Sequence, residues 1–151
     1  GVNEPEATFS ACFGAAFLAW HPMKYAELLK EKMQKYNVNV WLINTGWTGG
    51  SYGVGRRFSL KYTRSIVKAA LNGSLANVDY VTDPVFGFEV PTSCPEVPSE
   101  LLIPKNTWGD KSAYDKTVNK LASEFQNNFK QFEDQATEEV INAGPKIVSV
   151  V

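Results

Sequence analysis

The chain has 151 residues, of which 44% are hydrophobic, with 15 basic and 16 acidic side chains and a formal net charge of -1. This size and composition suit one ordinary hydrophobic core and exclude a disordered or fibrous protein. A charge this close to zero gives no general attraction to nucleic acid or to an anionic membrane. We therefore expect neither partner, and any site for an anion has to be local.

The two cysteines, Cys12 and Cys94, are far apart and form no CxxC motif, so we expect two reduced, inert thiols. The apolar stretch 11–20 is too short to span a bilayer and has no basic flank before it, which argues against a signal peptide. The apolar residues 9–17 lie unusually near a chain terminus, which predicts a piece of a longer protein. A cytosolic location is the interpretation we favour.

His21-Pro22 predicts the start of a first helix, because proline in the first helical position gives up no hydrogen bond. Asn37 is the predicted stop. The face expected to cover a core consists of Tyr25, Leu28, Leu29, Met33 and Tyr36. The run 38–43 is short, apolar and β-branched, which predicts a buried strand. Helix, strand and the loop that follows indicate an α/β unit.

Residues 48–55 form that loop and include four glycines, which permit positive φ angles and close approach of a ligand to the backbone. Glycine content alone favours a plain flexible loop, with a ligand-binding loop as the alternative. It is not a Walker A loop, since GxxxxGK[ST] occurs nowhere in the chain.

A group of cations follows the loop, namely Arg56, Arg57, Lys61 and Arg64. Arginine forks match phosphate groups and their planes stack on aromatic rings. A phosphorylated ligand, and a nucleotide first, is the candidate that these residues suggest. The alternative is a solvated helix approach with no ligand.

Three further helices are predicted. Thr63 is expected to begin a short helix that ends at Gly73 and buries Ile66, Val67, Ala70 and Leu71, while Arg64 and Lys68 stay solvated. Ser112 and Asp115 form a plausible capping pair for a long helix. Its apolar stripe is Tyr114, Val118, Leu121, Ala122, Phe125, Phe129 and Phe132. A short helix at 137–142 stops at Gly144-Pro145.

The proline-rich stretch 78–104 predicts extended surface chain with at most edge-strand character.

Catalytic groups are scarce. His21 is the only histidine, so no histidine pair can hold a metal ion, and its position at a helix start favours a structural role. The acidic pairs at 133–134 and 138–139 are typical of a solvated helix face. We assign no catalytic residue and no metal ligand from these observations.

Several motifs, in order along essentially the whole chain, resemble one known family. They are Glu4-Pro5 with residues 8–17, His21-Pro22, residues 44–47 (Asn-Thr-Gly-Trp), residues 57–64 (Arg-Phe-Ser-Leu-Lys-Tyr-Thr-Arg) and residues 143–145 (Ala-Gly-Pro). The chain resembles the C-terminal quarter of the ATP-dependent phosphoenolpyruvate carboxykinases. The length of loop 49–55 resembles that of the fungal members.

The resemblance implies an α/β fold with a mixed sheet and surface helices, in which residues 1–151 are part of a single C-terminal nucleotide-binding domain. It implies a cytosolic carboxy-lyase of gluconeogenesis that converts oxaloacetate and ATP to phosphoenolpyruvate, ADP and carbon dioxide, with Mg and Mn ions. Arg57, Phe58 and Thr63 match the nucleotide contacts: Arg57 through stacking or hydrogen bonds, Phe58 through its backbone and Thr63 through its hydroxyl.

The family's phosphate-binding loop, metal ligands and oxaloacetate-binding arginine have no match in this chain, so we expect the isolated chain to be inactive. A non-catalytic binding or regulatory module of the same fold is the main alternative, and a truncated product without activity is another. A Walker A loop and metal ligands upstream of Gly1 would indicate the enzyme. The sequence leaves open whether the protein forms a homo-oligomer.

Overall fold

The computed structural model describes residues 8–10 and 14–149. Their regular elements, in chain order, are α1 (Pro22–Tyr36), β1 (Trp47–Thr48), β2 (Arg56–Arg57), α2 (Leu60–Leu71), β3 (Tyr80–Thr82), β4 (Glu89–Pro91), α3 (Pro104–Thr107), α4 (Lys111–Phe129) and α5 (Glu138–Asn142). Short 3-10 helices lie at Ala15–Phe17, Ser99–Leu101 and Lys130–Gln135. The α/β class is confirmed, with helices accompanying two small antiparallel sheets. Within the described residues, no helix has the length and apolar character needed to cross a membrane.

The described chain divides into two compact units, the first formed by residues up to 42 and by 125–144. Its helix α1 begins and ends as predicted. The His21 Nδ1 atom accepts a hydrogen bond from the Met23 N–H at 3.3 Å, and Asn37 ends the helix with a φ of 47°. The His21 ring also meets the edge of Phe132, with 5.9 Å between centroids. His21 is therefore a structural helix cap.

Two expectations for the first 43 residues are wrong, the first of them only in part. Tyr25, Leu28 and Met33 of the predicted core face of α1 are half-buried. Leu29 and Tyr36 are 57% and 62% exposed, and the one fully buried residue of the helix is Met23. Residues 38–43 are not a strand, and the side chain of Leu42 is 76% exposed. A strand is stabilised by hydrogen bonds to a neighbouring strand, and the described part of this chain supplies none to this run.

The predicted short helix near the end of the chain is confirmed as α5. The Thr137 hydroxyl accepts a hydrogen bond from the Val140 N–H at 3.4 Å and so caps the first turn. The Glu139 carboxylate of α5 forms an ion pair with Lys30 of α1. The predicted thiol of Cys12 and the Glu4-Pro5 motif lie outside the described residues.

The second unit comprises residues 43–124 and 145–151. A hydrophobic core cluster of this unit consists of Val85, Val118 and Ala122, with Phe86, Tyr114 and Val148 packed around it. Val85 lies in the turn of the β3–β4 hairpin, where Val81 pairs with Val90. The proline-rich stretch thus contributes one two-stranded antiparallel sheet, in keeping with its predicted edge-strand character. Its prediction as surface chain is wrong at Val85, Cys94 and Val97, which are buried.

The stripe of α4 is confirmed at Val118 and Ala122, which are buried, but its predicted cap is wrong. The Asp110 Oδ1 atom accepts a hydrogen bond from the Ala113 N–H at 3.0 Å, so the cap precedes Ser112. Asp115 instead forms an ion pair with Lys105, at 2.7 Å between Oδ1 and Nζ. An aspartate directly before the helix is the stronger cap because its carboxylate also complements the helix dipole.

Helix α2 begins at Leu60, three residues before the predicted start, and it ends just before Gly73, which has a φ of 77°. Its buried residues are Ser65 and Ala69, whereas Leu71 of the predicted apolar face is 83% exposed. The Ser65 hydroxyl donates a hydrogen bond to the Glu96 carboxylate at 3.1 Å, so this small, polar face meets the chain around Cys94. Burial raises the pKa of the Cys94 thiol, which is free as predicted.

Candidate functional site

The glycine loop connects the strands of the β1–β2 hairpin, in which Trp47 is opposite Arg57 and Thr48 is opposite Arg56. Gly49 and Gly53 have φ angles of 81° and 83°, as glycine permits. A Cβ atom on Gly55 would lie 2.3 Å from the Gly50 carbonyl oxygen. The glycine at position 55 is thus required by the loop's own backbone, independently of any ligand.

The two arginines of β2 face opposite sides of the hairpin, because side chains alternate along a strand. Arg57 shares a face with Trp47, whose ring meets Tyr52 edge to face at 5.7 Å between centroids. Arg56 lines a polar groove of about 430 Å³ together with Thr48, Asn106 and Thr107. The predicted cation cluster is thus divided between two surfaces of the hairpin.

The loop is held by Thr107, a residue that the sequence analysis missed. The Gly49 N–H donates a hydrogen bond to the Thr107 hydroxyl at 3.1 Å across 58 positions of the chain, and this hydroxyl in turn donates to the Pro104 carbonyl at 2.8 Å. Asn106 lies in the groove beside it. Nothing in the local sequence of 104–107 indicates this contact, because it depends on the tertiary structure that brings α3 next to the glycine loop.

Arg57, Phe58 and Thr63 lie on one continuous segment that runs from β2 into the first turn of α2. The Phe58 N–H donates to the Gly46 carbonyl at 2.9 Å, and the Phe58 ring meets Tyr62 at 6.2 Å between centroids. The Thr63 hydroxyl donates to the Ser59 carbonyl at 3.2 Å. The segment therefore has a defined shape, in which Arg57 is exposed and Phe58 and Thr63 are half-buried.

Comparison with known proteins assigns the family. A family model described as phosphoenolpyruvate carboxykinase matches residues 1–100. The chain is 57% identical over 145 residues to the phosphoenolpyruvate carboxykinase (ATP) of Flavobacterium johnsoniae, covering 96% of this chain and 27% of that protein. The chain belongs to the ATP-dependent phosphoenolpyruvate carboxykinase family. It spans only about a quarter of the length of these relatives.

Two further carboxykinases of the same name show the same pattern. The Thermus thermophilus protein is 58% identical over 146 residues, which cover 97% of this chain and 28% of the relative. The Dictyostelium discoideum protein is 54% identical over 145 residues, which cover 96% of this chain and 26% of the relative. The similarity therefore extends over nearly the whole chain, including the β1–β2 hairpin and α2.

The four cations of this carboxykinase segment form no ion pair with the described residues, although Glu100 lines the same groove as Arg56. Arg56, Arg57, Lys61 and Arg64 are all exposed, and none forms an ion pair with a carboxylate in residues 8–10 or 14–149. Thr63 and Arg64 also line a shallow depression of about 460 Å³ along α2. These guanidinium and ammonium groups give this part of a chain of net charge -1 a local excess of positive charge, which is distributed over both faces of the hairpin and α2.

Metal ligands are not assembled in this segment. No group of three or more His, Cys, Asp or Glu side chains that could hold a metal ion occurs in the part of the chain that the structure describes. The donor set present therefore does not fit the Mg and Mn ions that the family resemblance implies.

Proposed function

We propose that this chain forms the adenine side of the nucleotide site in an ATP-dependent phosphoenolpyruvate carboxykinase. The complete enzyme converts oxaloacetate and ATP to phosphoenolpyruvate, ADP and carbon dioxide in gluconeogenesis, in the cytosol. The observation that carries the proposal is the overall identity of 57% and 58% to two carboxykinases (ATP), over matches that cover 96% and 97% of this chain. Residues 1–151 belong in this view to one nucleotide-binding domain.

Each of the three residues has a separate role in binding. Arg57 presents an exposed, unpaired guanidinium that can stack on the adenine ring or donate hydrogen bonds to it. Phe58 acts through its carbonyl oxygen, since its N–H is already bonded to Gly46. The Thr63 hydroxyl donates a hydrogen bond to the Ser59 carbonyl and can accept one from the ligand through an oxygen lone pair. These residues bind and orient ATP, and they take no part in phosphoryl transfer.

Substitution of Arg57 tests this assignment in a full-length enzyme that carries this sequence. Arg57→Ala should raise the KM for ATP roughly tenfold, from the usual size of cation–π and charge-assisted contacts, with less effect on the KM for oxaloacetate. Arg57→Lys should restore part of the affinity, because an ammonium keeps the charge and loses the planar fork.

Arg56→Ala is the matched control, since Arg56 is the adjacent cation of the same strand on its opposite face. It should have a smaller effect on the KM for ATP than Arg57→Ala. An unchanged KM for ATP in Arg57→Ala, or a larger effect from Arg56→Ala, would show that the wrong arginine has been assigned.

The chemical step is expected to need groups that this chain does not contain. The 151 residues include no GxxxxGK[ST] motif, and phosphoryl transfer depends on clamps for phosphate and metal. The isolated chain should therefore neither decarboxylate oxaloacetate nor hydrolyse ATP above background. Metal-dependent turnover by the pure 151-residue chain would contradict this expectation.

A further inference from the structure

The glycine loop (residues 48–55) contacts the rest of its unit through the side chain of Thr107, which is not one of the three proposed binding residues. The Gly49 N–H donates to the Thr107 hydroxyl at 3.1 Å. A Cβ atom on Gly49 would lie 3.4 Å from the Thr107 carbonyl oxygen, so α3 and the start of the loop are in close contact. This contact is at the β1 end of the hairpin, two residues after Trp47, which pairs with Arg57.

Thr107 is itself held firmly although α3 has a single turn. The Lys111 ammonium group donates hydrogen bonds to the carbonyl oxygens of Lys105, Asn106 and Trp108, at 2.7, 3.0 and 2.8 Å. These bonds hold the carbonyl groups at the end of α3, of which that of Lys105 also accepts a hydrogen bond from the Trp108 N–H at 3.4 Å. Lys105 also pairs with Asp115 of α4, at 2.8 Å between Nζ and Oδ2. Two lysines thus attach α3 to its surroundings.

The attachment continues into the hydrophobic core. The Trp108 ring meets Tyr114 of α4 edge to face, with 5.6 Å between centroids, and Tyr114 packs against the core of Val85, Val118 and Ala122. A continuous series of contacts therefore leads from the buried core through α3 to Gly49. The hairpin itself contributes no residue to that core. Contacts such as the one to Thr107 therefore contribute to its orientation.

We propose that Thr107 is a positioning residue for the nucleotide site, which holds the β1–β2 hairpin so that Arg57 is presented to the ligand. This proposal rests on the adenine-side role assigned above. Thr107 contacts no ligand and takes no part in the reaction. Its hydroxyl links the two segments because it accepts from Gly49 of the loop and donates to Pro104 of α3.

Thr107→Val in a full-length enzyme that carries this sequence tests the proposal, because valine keeps the shape of threonine and removes the hydroxyl. Loss of the hydrogen bond from Gly49 predicts a rise of about fivefold in the KM for ATP, with kcat within about twofold of the parent. Amide hydrogen exchange at residues 49–55 should become faster. Thr107→Ser, which keeps the hydroxyl, should restore both the KM and the slow exchange.

Thr117→Val is the matched control. The Thr117 hydroxyl donates to the Ala113 carbonyl within α4 at 2.8 Å and is remote in sequence from the loop, so its removal should change neither the KM for ATP nor exchange at 49–55. Unchanged exchange in Thr107→Val would overturn the proposal, and so would faster exchange with an unchanged KM. Arg57→Ala reports separately on the proposed function, because a failure there leaves the exchange result for Thr107 unaffected.

Discussion

The second unit contains two hairpins of similar size that are stabilised in different ways. In the β3–β4 hairpin, the Asp83 Oδ1 atom accepts hydrogen bonds from the N–H groups of Val85 and Phe86, at 3.0 and 2.6 Å, and Val85 is 3% exposed in the core. In the β1–β2 hairpin, Trp47 is 48% exposed and both arginines are on the surface. The β3–β4 hairpin therefore contributes to the core, whereas the β1–β2 hairpin has its large side chains on the surface.

This difference separates stability from binding along the chain. Removing buried apolar atoms costs transfer free energy and leaves a cavity, so the β3–β4 hairpin should be sensitive to loss of volume. The β1–β2 hairpin has exposed cations and a loop of fixed shape, so it should be sensitive to changes of backbone geometry. Substitutions in the β3–β4 hairpin should therefore lower stability, whereas substitutions in the β1–β2 hairpin should mainly weaken ATP binding.

The largest effect is expected for Val85→Ala in the core hairpin. Loss of two buried methyl groups and the resulting cavity should cost about 2 kcal/mol of stability. Native-state hydrogen exchange should show reduced protection at residues 85–87 and along α4. Val81→Ala is the control, because Val81 lies in the same hairpin and is 40% exposed. A cost as large for Val81→Ala as for Val85→Ala would contradict the distinction between buried and exposed positions.

A smaller and different effect is expected for Gly55→Ala in the β1–β2 hairpin. The new Cβ would lie 2.3 Å from the Gly50 carbonyl oxygen and 2.9 Å from that of Thr48, so the loop has to move. In a full-length enzyme we expect the KM for ATP to rise about tenfold through misplacement of Arg57. Protection of the Val85 and Val118 amides should stay within about 0.5 kcal/mol of the parent.

Gly53→Ala separates steric contact from backbone strain in that loop. Gly53 has a φ of 83°, and a Cβ atom there would have no atom of the described residues within 4 Å beyond its chain neighbours. Alanine at this position therefore costs about 1 kcal/mol of conformational strain without a collision. Its KM for ATP should rise less than that of Gly55→Ala. Equal effects of the two substitutions would mean that strain, and not the collision, controls the loop.

Local signals in the sequence predicted the elements that depend on local chemistry. Helix α1 has a proline in its first position and an asparagine in the left-handed conformation after its end, and both limits were predicted. The buried residues of α4, Val118 and Ala122, follow from helical spacing. Arg57, Phe58 and Thr63 came from family motifs, and their roles in binding stay a prediction.

The failures concern features that depend on distant residues. The run 38–43 has strand composition, but a strand also needs a partner, and none is present in residues 8–10 and 14–149. The buried face of α2 includes Ser65 because the carboxylate of Glu96, 31 positions later, accepts a hydrogen bond from its hydroxyl. Similarly, the Phe58 N–H is occupied by Gly46 and the loop is held by Thr107. The composition of a segment indicates which of its residues are apolar, but it does not indicate contacts with residues far away in the sequence.

The smallest effect is expected at alkaline pH, in the core next to the β3–β4 hairpin. Burial raises the pKa of Tyr114, and the carboxylates of Asp83 and Asp115 raise it further. The folded state therefore holds the phenolic proton more tightly than the unfolded state. The resulting stability is complete below the ordinary tyrosine pKa of about 10 and is lost as the pH rises through the raised value.

Tyr114→Phe removes this titration, so the urea midpoint, measured by circular dichroism, should fall less steeply between about pH 9 and 11 than in the parent. Tyr36→Phe, at a side chain that is 62% exposed on α1, should leave the alkaline loss unchanged. Cys94, whose pKa burial also raises, should account for part of the residual loss, and Cys94→Ala in the Tyr114→Phe background should reduce that loss further. A parallel loss of stability in Tyr114→Phe and the parent above about pH 9 would contradict this expectation. The β3–β4 hairpin and its core would then not depend on the protonated phenol. Asp83 would act on this core only through its two hydrogen bonds to the turn.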